Sequence, residues 1–161
     1  LNSLDGLNDL NNIEKIEGIT LNNNHLANIP ALTFSKFTNL KEIDAANNQL
    51  TGLGAFSGLL SLEKLYLFNN KIAKLTPIQV LPNLKHLGLS RNQMREIAPG
   101  AFDAVKNLEI LQLDNNQLTS FNPNLVSKLT QLKVLNLKGN TLSDANKEEL
   151  KKSLPRVEII F

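Results

Sequence analysis

Leu62-Glu63-Lys64-Leu65-Tyr66-Leu67-Phe68-Asn69-Asn70-Lys71-Ile72 is one of six eleven-residue stretches in this chain that superimpose without a gap. The others run from Ile16 to Leu26, Leu40 to Leu50, Leu84 to Met94, Leu108 to Leu118 and Leu132 to Leu142. All six fit L-x-x-L-x-L-x-x-N-x-L, with Ile, Met and the single Ala45 as the only replacements at apolar slots. The ninth position is Asn every time: Asn24, Asn48, Asn70, Asn92, Asn116 and Asn140. Successive starts lie 24, 22, 22, 24 and 24 residues apart, and a period of that length marks a stacked array of supersecondary units.

The motif also explains the composition, 32 Leu and 23 Asn in 161 residues. Its fourth and sixth positions alternate as on a strand with one buried face. A single such unit cannot cover its apolar side. Stacking each coil on the next pairs the strands in parallel at about 4.8 Å and creates one continuous core, so that seven strands span roughly 30 Å. The ninth residue falls where the chain leaves the strand, and a buried amide there both donates to and accepts from backbone groups that the turn leaves unpaired.

Over residues 13 to 161 the chain resembles the leucine-rich repeat family. The resemblance implies an α/β fold: a right-handed, curved solenoid with a parallel concave sheet and short helical or 3₁₀ convex segments. The Asn column corresponds to that family's asparagine ladder. Residues 1–15 are expected to form an N-terminal cap or the remnant of an upstream repeat, since Leu1, Leu4, Leu7, Leu10 and Ile13 recur every third residue. Residues 16–142 form six repeats and residues 143–161 a C-terminal cap. The return segments carry Phe34, Phe37, Phe102, Val105, Phe121, Leu125 and Leu129, and the two 22-residue repeats are expected to use tight 3₁₀-like or short helical turns. Ser143 as N-cap, Asp144 in the first turn, Lys151 and Lys152 in the last and Pro155 beyond predict a helix over 144–153. Leu154-Pro155-Arg156-Val157 mirrors Leu81-Pro82-Asn83-Leu84, so Val157 to Phe161 is expected to form a last strand.

Composition removes several functions. A net charge of +2 is too small for a dedicated nucleic-acid footprint. Without Cys there are no disulfides, thiolate nucleophiles or Cys-ligated metals. No run of about 18 apolar residues occurs, so membrane insertion is not expected. The chain opens at Leu1 without an initiator Met, which reads as a processed or excised piece. No N-x-[ST] sequon occurs despite the many asparagines, which excludes N-glycosylation. The end of the chain, a Lys/Glu-rich helix followed by L-P-x-x-x-I-x-F, is similar to the ends of bacterial leucine-rich repeat proteins, including secreted and surface-exposed ones. A secreted or cell-surface bacterial protein is the resulting expectation, with a cytoplasmic one as the alternative.

Function is sought at the outward third, fifth and seventh positions. Most are small or polar. The exception is the middle, where the only Tyr, Tyr66, and Phe68 share one strand face. Around them stand Asp44, Lys64, His86, Arg91, Gln112 and Asp114, and exposed aromatics beside an Arg have the composition of interface hot spots. A more apolar column of Ile110, Val134 and Ile159 is expected at the third position near the C-terminal end. Ser90, His86 and Asp114 do not make a triad, because four residues along a strand separate His86 from Ser90 by about 13 Å. No phosphate loop, zinc-protease motif or metal-ligand spacing is present, so no catalytic residue, metal or cofactor is expected. The sequence thus predicts a non-catalytic, monomeric module that binds a protein partner on its concave face. A structural spacer within a larger protein is the alternative, and a glycan or lipid binder, which would call for more aromatic stacking surface, a more distant one.

Overall fold

A computed structural model describes Leu4, Leu7 and residues 10–161 of the chain. In chain order the strands are β1 (Gly18–Thr20), β2 (Glu42–Asp44), β3 (Lys64–Tyr66), β4 (Lys74–Leu75), β5 (His86–Gly88), β6 (Glu96–Ile97), β7 (Ile110–Gln112), β8 (Val134–Asn136) and β9 (Glu158–Ile160). Among the described residues, seven of them form one parallel sheet in the order β1-β2-β3-β5-β7-β8-β9, and β4 with β6 forms a second, two-stranded one. Like motif positions pair across the large sheet: Leu65 faces Leu87, and Leu87 faces Leu111. The ladder continues past the strands, with Leu67 N–H donating to Gly88 O at 2.8 Å and Arg91 N–H to Asp114 O at 2.8 Å.

Packing follows the motif. Leu62, Leu65, Leu67 and Ile72 are fully buried, as are Leu84, Leu87, Leu89 and Met94 of the next coil. Burial of each such side chain contributes about 1.5–3 kcal/mol. The return segments close the core from the other side with Phe34, Phe56, Phe102 and Phe121, and the rings of Phe34 and Phe56 stack at 5.7 Å. Ala45 is the one small residue at a strand core slot, and it too is fully buried.

The two short returns differ from each other. The second repeat uses a 3₁₀ turn, Gly54–Phe56, as its length suggests. The third runs extended as β4, paired in parallel with β6 of the fourth. Pro77 keeps Thr76 out of the helical region, so a 3₁₀ turn cannot begin there as it does at the corresponding Gly54. A 3₁₀ turn recurs at Pro123–Val126, where the Asn122 side chain accepts from Asn124 N–H.

At the C-terminal end α1 spans Asp144–Ser153, with the Ser143 hydroxyl accepting from Asn146 N–H. Leu150 is buried, and the Asn146 side chain clamps the Phe121 backbone, accepting from its N–H at 2.8 Å and donating to its C=O at 3.0 Å. The last strand departs from expectation by one residue. Val157 N–H turns back to Leu154 O, and Glu158 N–H is the first to reach the neighbouring strand, donating to Lys133 O. Glu158 therefore pairs with Val134, and Ile159 pairs with Leu135 on the core side. The expected apolar column ends at Val134: its last member is an exposed Glu158, and Ile159 packs against the core. The helix-to-strand turn uses one residue fewer than the Leu-Pro parallel implied. At the other end Ile13 belongs to the core and Leu4 and Leu7 pack against it while Leu10 is exposed, and Leu1 lies outside the described residues.

Candidate functional site

The Asn of motif position nine ties each coil to the one before. Asn70 Nδ2 donates to Ala45 O at 3.0 Å in the previous coil and to Leu67 O at 3.1 Å in its own, and its Oδ1 accepts from Leu50 N–H at 2.9 Å. Asn48, Asn92 and Asn116 repeat this pattern, accepting from Leu26, Ile72 and Met94 N–H respectively, and all four are buried. Asn140, at the more open end, accepts from Leu118 N–H and donates to Leu113 O and Leu137 O. Asn24 donates to Leu21 O and Asn22 O. This row links neighbouring coils through buried side-chain to backbone bonds.

A second row runs beside it. Every position-eight residue has a left-handed backbone: Asn23, Asn47, Asn69, Arg91 and Asn115 with φ between 53° and 56°, and Gly139 with φ 71°. Asn and Gly tolerate that conformation and other residues resist it. The exposed side chains of Asn23, Asn47 and Asn69 bond to one another, Asn47 Nδ2 to Asn23 Oδ1 at 2.9 Å and Asn69 Nδ2 to Asn47 Oδ1 at 2.7 Å. The Asn-Asn pair inside four of the six motifs was the available signal, and the motif logic used only its second member.

On the concave face, Tyr66 and Phe68 stand side by side, ring centroids 5.6 Å apart, both half-buried. Their seat is Gly88 of the next strand. A methyl group there would come within 3.0 Å of the Phe68 ring and 3.2 Å of Tyr66 Cδ1, so the absence of a side chain lets both rings lean over β5. Other expected site residues divide by what they already hold. Asp44 accepts from Asn22 Nδ2 at 2.6 Å and from Ala46 N–H at 3.0 Å. Asp114 accepts from Ser90 Oγ at 2.6 Å, Asn115 Nδ2 at 2.8 Å and Asn136 Nδ2 at 3.2 Å. Lys64 pairs with Glu42 at 3.1 Å, and the hydrogen bond and charge of that carboxylate raise its pKa. Half-buried His86 and Gln112 and the exposed Arg91 make no side-chain hydrogen bond or ion pair among the described residues. Ile110 lies beside His86 in the strand register and half-buried Val134 beyond it.

Along the start of the strands, position two alternates in sign: Glu17, Lys41, Glu63, Lys85, Glu109, Lys133. Lys41–Glu17, Lys85–Glu63 and Lys133–Glu109 close at 2.8, 2.9 and 2.6 Å. Glu63 is held below its ordinary pKa by the Lys85 hydrogen bond and charge, and Glu109 by the Lys133 hydrogen bond first. Lys41 is raised by its bond to Glu17. These exposed pairs contribute little each, and their net effect is a rim that is neutral from coil to coil.

Chemically the face offers a phenol, a phenyl ring, an imidazole, an amide and a guanidinium on one parallel sheet. Ser90 has its hydroxyl engaged by Asp114, in the row of Phe68, while His86 lies at the opposite end of its own strand segment. That arrangement suits contact better than proton transfer.

The sequence model described as "Leucine rich repeat" matches residues 14–72 and 82–142, and a two-copy form of it matches residues 61–99. The leucine-rich repeat-containing G-protein coupled receptor 5 of Rattus norvegicus is 32% identical over 99 residues, which are 60% of this chain and 11% of the receptor. Among solved structures, a leucine-rich repeat protein of Leptospira interrogans superimposes with TM-score 0.78 at 31% identity, covering 92% of this chain and 38% of that one. FLRT2, solved in an octameric complex with latrophilin 3 and Unc5D, gives TM-score 0.80 at 25% identity over 89% of this chain and 47% of the matched one. The chain thus spans less than half the length of each of these proteins.

Proposed function

The chain belongs to the leucine-rich repeat family, whose arrays generally serve as protein-interaction modules, and from that premise we propose that it is a non-catalytic recognition module that holds a protein partner against its concave sheet. Tyr66 and Phe68 are the central anchors, with His86, Arg91, Gln112 and the borders of Asp44, Lys64, Ile110 and Asp114 supplying specificity. The observation that carries this reading is the paired, half-exposed aromatic platform in the middle of the sheet, seated on Gly88. A stiff preformed face loses little conformational freedom on binding, so a few anchors decide affinity. FLRT2, built on the same fold, is found assembled with other proteins, which supports the class of function.

The test begins with selection of binders to the whole chain from a displayed random-peptide library. Tyr66→Ala combined with Phe68→Ala is expected to weaken the selected binders by at least about 2 kcal/mol, roughly 30-fold, with the circular dichroism spectrum unchanged. Equal affinity in the double variant would dismiss the platform. A spacer role within a longer protein is the second reading, favoured by the small share of each relative that the chain spans. Under it the concave face would yield no selectable binder.

A further inference from the structure

Arg91 is the odd member of its row. At motif position eight the backbone is left-handed in all six repeats, and the other five residues there are Asn or Gly. Arg91 adopts the same conformation, φ 53°, without the short polar side chain or the missing Cβ that eases it. Strained residues persist where the surroundings hold them and cluster at sites of function. The Arg91 backbone N–H is engaged, donating to Asp114 O at 2.8 Å, but no side-chain bond among the described residues repays the strain. Arg91 is exposed and makes no side-chain hydrogen bond or ion pair among the described residues. The Asp114 carboxylate, in the adjoining coil, already accepts from Ser90, Asn115 and Asn136. The row itself breaks here: side-chain bonds run from Asn69 through Asn47 to Asn23 and are not continued by Arg91.

Position places this guanidinium beside the aromatic platform. Asn69 N–H donates to Ser90 O at 3.0 Å, which sets the coil of Phe68 against the coil of Arg91 one strand spacing away, about 4.8 Å. The Phe68 ring leans toward that same coil over Gly88. A side chain resting on Tyr66 and Phe68 therefore brings its sequence neighbours over Arg91.

We infer that Arg91 is a carboxylate-binding subsite, and that the partner segment seated on the platform carries an Asp or Glu within one or two residues of an apolar or aromatic anchor. This rests on the concave-face reading above and specifies its partner. A free guanidinium presents paired N–H donors that match a carboxylate in a bidentate fork. A single negative charge suits the place better than a doubly charged phosphate, because the Asp114 carboxylate lies in the neighbouring coil just past β7 and repels excess negative charge.

The experiment extends the peptide selection to three forms of the chain: wild type, Arg91→Asn, and Tyr66→Ala with Phe68→Ala. Wild type is expected to enrich peptides in which Asp or Glu neighbours an apolar anchor, and a synthetic copy of the leading peptide should bind Arg91→Asn at least about 10-fold more weakly. Arg91→Asn should raise Tm by about 2–4 °C, since it removes the backbone strain and lets the Asn row continue. Peptides that need Tyr66 and Phe68 but carry no acidic residue, or that bind Arg91→Asn unchanged, would overturn this subsite and leave the platform standing. A lowered Tm for Arg91→Asn would also overturn it, by showing that the Arg serves the fold. No enrichment by wild type would reject the platform and the subsite together.

Discussion

Motif positions eight and nine carry the same residue type in four of the six repeats, yet they do different work one residue apart. The ninth-position amides of Asn48, Asn70, Asn92 and Asn116 are buried and bond to backbone in two coils at once. Their eighth-position neighbours Asn47, Asn69 and Asn115 are exposed, bond side chain to side chain, and owe their place to a left-handed backbone. One row supplies hydrogen-bonding groups that water cannot reach, and the other supplies a conformation. The difference shows why a repeat can vary at position eight, admitting Arg91 and Gly139, and stays fixed at position nine.

A paired Ala and Gly scan would sharpen or break that distinction. Asn92→Ala should destabilise the chain by about 1–3 kcal/mol, because Ile72 N–H loses its acceptor in a dry interior, and Asn92→Gly should be no milder. Asn47→Ala should cost about 1–2 kcal/mol through the left-handed backbone, and there Gly should recover most of the loss. Urea midpoints read both series. Equal rescue by Gly in the two rows would erase the distinction. Gly139 marks the limit of what position eight tolerates, since a methyl group on it would meet Asn115 Oδ1 at 2.6 Å.

A smaller effect is expected from the third row, the alternating charges of position two. Glu63 and Glu109 are held below the ordinary Glu pKa, so they bind protons less readily when folded than when unfolded. Their contribution is complete above the ordinary range, near pH 4.3, and is lost as pH falls through the depressed folded values. Glu63→Gln with Glu109→Gln should therefore lower stability slightly at neutral pH and converge on wild type in acid, as followed by urea melts across pH 7 to 3. A variant that stayed below wild type by the same margin at every pH would show that the charges are not the cause.

Much of this was legible in the chain itself. Period-two alternation within a two-dozen-residue repeat gave the strands, their parallel order, the buried faces and the ninth-position Asn, because burial forces those choices locally. The helix at Asp144–Ser153 followed from Ser143, Asp144 and Pro155. What alternation cannot give is the neighbour across the strand. It assigned Gly88 and Ser90 to the outward face correctly, but both are covered, Gly88 by the rings of Tyr66 and Phe68, and Ser90 is bonded to Asp114. Nor does it count the residues a turn consumes, which is why Ile159 moved to the core side. Within the candidate site, the aromatic pair was readable from composition. The division between Asp44 and Asp114, already engaged, and Arg91, whose side chain has no bond among the described residues, shows only in the fold.

Buried asparagine amides fasten each coil to the last, and the proposed recognition depends on the stiffness this gives the sheet. Native-state hydrogen exchange tests it most directly. The N–H groups of Leu26, Leu50, Ile72 and Met94, each donated to a ladder amide of the following coil, should exchange only through opening of the whole array and share one high protection. Exchange of those four at the rate of exposed loop amides, in a chain that still shows its native circular dichroism, would show that the ladder does not hold the coils together.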